Sequence, residues 1–151
     1  MLKTRIHSTQ PIINPYDTYR YINEPLSNND ISFLTATAKI AATSTYRFRM
    51  AALIVKSGSV LGGNVNMPKI TPDTPPNRMS THAEIRALKS VKNVQGATIY
   101  IARLKSQDEC GLAKPCIWCM NHMINAGISK VVFTINDGIG SSFYVNMITW
   151  I

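Results

Sequence analysis

Two short motifs, about a quarter of the chain apart, hold the residues whose types and spacing could do chemistry. The first is His82-Ala83-Glu84 and the second is Pro115-Cys116-Ile117-Trp118-Cys119. Together they offer one imidazole, two thiols and one carboxylate. Three nitrogen and sulfur donors can hold a zinc ion and leave its fourth position to water, the arrangement of a catalytic rather than a structural site. Zinc would lower the pKa of that water toward about 7. His82, Cys116 and Cys119 are the expected ligands, and Glu84 is left over to move protons.

Other readings of the same residues make different demands. A lone C-x-x-C also suits a redox pair, but such a pair has no need of a distant H-A-E. A structural zinc would want a fourth ligand, for which Cys110 and His122 are the candidates. His122 lies too far along the helix to stay on the ligand face, so it reads as a surface or packed histidine. Cys110 reads as a free loop thiol. Trp118 reads equally as a wall of the pocket or as core packing.

Helix starts must position these groups. Cys116 and Cys119 are neighbours on a first helical turn, where the positive end of the helix dipole favours thiolates. Pro115 suits that point because the first helical residues need no amide donor. His82 and Glu84 diverge by about 200° on an ideal helix. Both can face one ion only if His82 sits at the cap, outside regular geometry.

The rest of the chain supplies the frame. Residues 1–30 are rich in Asn, Pro, Tyr and Ser without periodicity. They read as an irregular arm, or as packing across a partner subunit, ahead of a domain over 31–151. Phe33, Leu34, Thr37, Ile40 and Ala41 predict a helix from Ile31 to about Ser44, capped by Asn29 or Asp30. Met50 to Val55, the turn Ser57-Gly58 and a return from Ser59 predict a hairpin. A proline-rich loop over 63–81 leads into a helix from His82 to about Val91. A strand over Ala97–Ala102, a helix over Cys116–Ala126 stopped by Gly127, and a strand over Lys130–Ile135 follow. This alternation predicts a three-layer α/β/α domain with a mixed sheet.

The chain has 151 residues, 45% of them hydrophobic, with a formal net charge of +8. That suits one compact core and a phosphate-bearing partner. The basic residues form no run of the kind that makes a nucleic-acid arm. No stretch approaches the roughly 20 apolar residues of a membrane span, and the first residues do not read as a secretory signal. With three cysteines, two of them in the motif, a reducing cytoplasm is the expected setting.

H-x-E…P-C-x-x-C is a signature of zinc nucleobase deaminases. Over roughly residues 31–136 the chain resembles the cytidine and deoxycytidylate deaminase superfamily. The resemblance implies His82, Cys116 and Cys119 as zinc ligands, Glu84 as proton shuttle, and hydrolysis of a base amino group to a carbonyl with release of ammonia. It further implies that the Ala83 backbone N–H binds the base carbonyl. At the hairpin end, Val60-Leu61-Gly62-Gly63-Asn64-Val65-Asn66 is similar to a segment whose Asn meets the substrate. That points to Asn66, with Asn64 behind it. The loop Thr71–Thr81 lacks the extra Cys and His common in deoxycytidylate deaminases, and the segment after Gly138 lacks the basic residues of tRNA-editing relatives. The expected substrate is therefore a free cytosine nucleoside or nucleotide, with adenosine or cytosine in tRNA or single-stranded nucleic acid as the alternative and a non-catalytic zinc-stabilised domain as the third reading. Lys69, Arg78 and Arg103 are candidate phosphate contacts. Small members of the superfamily are usually dimers or tetramers. The apolar segment Phe143, Tyr144, Val145, Met147, Ile148, Trp150 and Ile151 suits such assembly.

Overall fold

The computed structural model describes residues 19–45, 48–68, 80–136 and 139–150. Its centre is a mixed sheet. Strand β2 (Arg49–Lys56) and strand β3 (Ser59–Val65) form the expected hairpin. Ser57 and Gly58 both have positive φ, the turn geometry whose twist matches a hairpin. Strand β6 (Thr98–Leu104) pairs antiparallel with β2 and parallel with β8 (Lys130–Phe133). Strand β9 (Ser141–Tyr144) closes the order β3-β2-β6-β8-β9, and the short β7 (Cys110–Gly111) pairs with β6. Two small ladders stand apart from this sheet: β1 (Tyr19–Arg20) with β10 (Thr149–Trp150), and β4 (Met67–Pro68) with β5 (Ser80–Thr81). Among the described residues, no helix is long and apolar enough to cross a membrane.

Alternation along the strands divides the core in two. Ala52, Ile54, Ile99, Ile101, Val131 and Phe133 point to one face, where they meet Ala83, Ala87, Met120 and Met123. Leu53, Val55, Tyr100 and Val132 point to the other, where they meet Leu34. Helix α1 (Asn28–Ala41) covers this second face. Helices α2 (Ala83–Ser90) and α3 (Ile117–Ala126) cover the first, giving the three-layer α/β/α arrangement. Gly127 ends α3 in the left-handed conformation expected of it, with φ of 87°.

The start of α1 differs from the expectation. Its cap is Ser27, not Asn29 or Asp30. Asp30 is instead the third residue of a capping box, its carboxylate accepting from the Ser27 N–H while Ser27 Oγ accepts from the Asp30 N–H. The same carboxylate accepts from Tyr100 Oη and Lys130 Nζ, both at 2.8 Å. Burial alone would raise the Asp30 pKa; the bonds from Lys130, Ser27 and Tyr100 outweigh it and hold the carboxyl below its ordinary value. Its contribution to stability is present above the unfolded pKa of about 3.9 and is lost as pH falls through the lower native value. Asp30→Ala should therefore cost about 3 kcal/mol at neutral pH, read by urea unfolding, and the gap from the parent should narrow in acid.

Residues 21–27 follow β1 without regular structure, and the segment lies against the domain. Tyr19 and Tyr21 pack against Phe143 of their own chain. Of the apolar segment that begins at Phe143, Phe143 and Ile148 are buried in the same core. The physical reason is mutual cover: two stretches without period each supply aromatic faces that the other needs. Tyr144 and Met147 of this segment do remain exposed.

Candidate metal centre and active site

Both motifs sit where helices begin on the same face of the sheet. His82 caps α2 with an extended backbone, φ −67° and ψ 143°. Cys116 caps α3 in the same way, φ −75° and ψ 168°. Their extended backbones turn both side chains out of the regular helix path, toward a common point. This resolves the angular conflict between His82 and Glu84, because only Glu84 lies within regular helix. Pro115 stands one residue before the cap, ahead of the first helical position where it was expected. Helix α2 can approach the hairpin because Gly62 has no side chain; a Cβ there would lie 2.7 Å from Val91 Cγ2.

His82 Nδ1 lies 3.2 Å from Cys119 Sγ and 4.0 Å from Cys116 Sγ. The ligand atoms of all three residues fall within 4.8 Å of one another. Tetrahedral zinc with bonds of 2.0–2.3 Å separates nitrogen and sulfur ligands by about 3.6 Å, between the two distances seen. Imidazole with two thiols is a donor set suited to zinc. The Cys116 thiol is pulled down to about 4, chiefly by its hydrogen bond with Cys119 and further by His82, against the opposing effect of burial. It is poised as thiolate, the form that binds metal.

Glu84 lies beside this set and is only 3% exposed. Burial raises its pKa, the nearby His82 opposes that rise, and Cys116 adds to it. Its Oε1 is buried without a hydrogen-bond partner. A carboxylate oxygen in that state is costly unless something polar completes it. A zinc ion with its water in the open fourth position supplies such a partner, so the residues present fit the metal.

Cys110 and His122 lie outside the ligand set. Cys110 lines a small groove of about 180 Å³ with Leu34, Thr35, Ala38, Thr134 and Ile139. His122 meets Trp118 edge-on, centroids 5.6 Å apart, and burial with the nearby Lys89 lowers its pKa. Trp118 is 39% exposed and does not join the core. Lys69 and Arg78 lie outside the described residues. Arg103 runs beside Gly111, and its backbone N–H donates to Thr134 Oγ1.

Ala83 is the first residue of α2 and fully buried. Its N–H belongs to the first helical turn, where no carbonyl of the helix can accept it. Asn66 shows a different pattern from the expected substrate contact. It is 3% exposed, and its Oδ1 accepts from Ser44 Oγ at 2.8 Å and from the Met50 N–H at 2.9 Å. Its Nδ2 donates to the Phe48 carbonyl. The amide ties the segment after α1 to the hairpin end. Asn64 Oδ1 accepts from the next backbone N–H at 3.1 Å, as a turn former would. Asn66→Ala should therefore lower stability by about 2–3 kcal/mol in chemical unfolding. A raised KM with unchanged stability would instead return Asn66 to the substrate.

Two helix starts on a mixed sheet thus hold three residues positioned to bind a metal beside a buried carboxylate with one unpartnered oxygen. Residues 27–135 match the cytidine and deoxycytidylate deaminase zinc-binding region. The chain belongs to this family of zinc-dependent hydrolytic deaminases. No curated protein sequence gives a significant match. Among solved structures, the chain is similar to the dCMP deaminase of cyanophage S-TIM5 in apo form, with 21% identity and a TM-score of 0.56 over 76% of this chain and 89% of that one. The same enzyme in complex with dCMP and dUMP gives 21% identity and a TM-score of 0.55, covering 73% of this chain and 83% of that one. Cytidine deaminase from Burkholderia pseudomallei gives 18% identity and a TM-score of 0.59, covering 80% of this chain and 94% of that one. At these identities the likeness is one of fold.

Proposed function

We propose that this protein hydrolytically deaminates a free cytosine nucleoside or nucleotide, with the nucleotide favoured by the formal charge of +8. The observation that carries the reading is the unpartnered, buried Oε1 of Glu84 beside His82, Cys116 and Cys119. His82, Cys116 and Cys119 would hold zinc, which when bound activates water as a nucleophile at neutral pH. Glu84 accepts one proton of the attacking water and delivers it to the ring nitrogen, then carries the second proton of that water to the departing amino group. The Ala83 N–H, at the positive end of α2, holds the base carbonyl. Ammonia leaves and a carbonyl remains.

Editing of a polynucleotide would call for aromatic side chains open to stacking. In the sequence, Tyr16, Tyr19 and Tyr21 interleave with Arg20; Tyr16 lies outside the described residues. Tyr19 is buried, Tyr21 packs against Phe133 and Phe143, and Lys114 Nζ lies 4.5 Å from the Tyr19 ring centroid. This supports a free substrate. A homo-oligomer in the cytoplasm completes the proposal, with exposed Trp118, Tyr144 and Met147 as apolar area for contact.

The test is ammonia release by zinc-loaded protein from cytidine, deoxycytidine, their monophosphates, adenosine, guanine and a short single-stranded oligonucleotide. Turnover of one free cytosine compound is expected. Activity on the oligonucleotide alone would overturn the reading in favour of nucleic-acid editing.

A further inference from the structure

We propose that Tyr19 is a positioning residue for the metal centre, acting through the peptide that carries Cys116. Its hydroxyl donates to the Pro115 carbonyl at 2.6 Å in a buried hydrogen bond. Pro115 directly precedes Cys116, so this bond fixes the peptide plane from which the ligand side chain departs. Pro115 has no N–H of its own, so its carbonyl is the backbone group through which it can be held. A turned peptide plane there would swing Cys116 and shift the first turn of α3, which also carries Cys119.

The tyrosine is itself firmly held. It is 1% exposed, and its ring lies 5.7 Å from Trp150 and 6.1 Å from Phe143 by centroids. Its backbone pairs with Trp150 in the β1–β10 ladder. Lys114, on the other side of Pro115, places Nζ over the same ring. Burial, reinforced by the charge of Cys116, raises the hydroxyl pKa, so the group stays a donor at any working pH. Tyr19 is not a metal ligand and needs no contact with substrate. It sets the distance between the thiols and His82.

The proposal rests on the metal centre and not on the choice of substrate, so its test reads metal directly. Zinc affinity by chelator competition, the visible spectrum of the cobalt-substituted protein and the melting temperature are compared for the parent, Tyr19→Phe and Phe143→Leu. The phenylalanine variant keeps the ring and loses only the hydroxyl. The leucine variant disturbs the same aromatic cluster and leaves the bond to Pro115. Tyr19→Phe should weaken zinc binding about tenfold and change the cobalt spectrum, as loss of outer support to a metal site does. Phe143→Leu should lower the melting temperature with parental zinc affinity and spectrum. Parental affinity and spectrum in Tyr19→Phe would overturn the proposal, whatever its melting temperature. An equal loss of affinity in Phe143→Leu would overturn it too, because the effect would then belong to the cluster.

Discussion

Glu84→Gln should bind zinc as the parent does and release ammonia about a thousandfold more slowly. The amide has nearly the shape of the carboxylate but cannot accept and return a proton, and that shuttling is worth roughly 10²–10⁴ in rate. Stability should not suffer. Burial already makes the charged form of Glu84 expensive, and its Oε1 bonds to nothing that the variant would lose. An unchanged or slightly raised melting temperature is expected, the usual sign of a group kept for function. Metal analysis, a melting curve and single-substrate kinetics on one preparation check all three. Turnover at the parental rate would remove Glu84 from the mechanism.

Cys119→Ser should abolish both metal binding and turnover. Cys119 Sγ is the nearest ligand atom to His82 Nδ1, and its thiol is the main partner that keeps Cys116 ionised. Without it, the Cys116 pKa climbs back toward the ordinary thiol range, and the remaining pair cannot complete a tetrahedral set. The variant should emerge from dialysis without zinc and stay inactive when zinc is returned. Chelator treatment of the parent should give the same silence, reversed by zinc. The helix itself should persist, because Met120 and Met123 still bury its apolar face. Retained zinc in the variant would mean that another donor replaces the thiol.

These expectations derive from groups whose places were legible in the chain, and the reasons are physical. H-A-E cannot direct both its imidazole and its carboxylate to one ion from regular helix, so the cap position of His82 follows from geometry. Gly127 marks the end of α3 because its backbone conformation is one that side chains resist. Strands β2, β6 and β8 of the central sheet announce themselves through buried runs between turn residues. The start of α1 was harder. Several cap-forming residues stand in a row, and only the reciprocal bonds of Ser27 and Asp30 select among them. Likeness to relatives points Asn66 toward substrate, whereas its three hydrogen bonds depend on a fold that brings Ser44, Phe48 and Met50 around it. Tyr19 had no local signal at all. One tyrosine of three in a stretch rich in Asn and Pro has no period to read, and its partners lie far along the chain. The same holds for β9 and β10, which a short 3₁₀ turn at Val145–Met147 interrupts.

That distance has a kinetic side. The hairpin β2–β3 closes a turn of two residues and can form early, whereas Tyr19 and Pro115 are separated by 96 positions. Bringing such remote segments together costs chain entropy before any contact returns it. The sheet and its helices can thus assemble while the thiols are still imperfectly aimed, and the site becomes fully competent for zinc only when the outlying segments dock. Metal capture is then a late checkpoint on folding: a refolding chain should regain its helical signal before it takes up the ion.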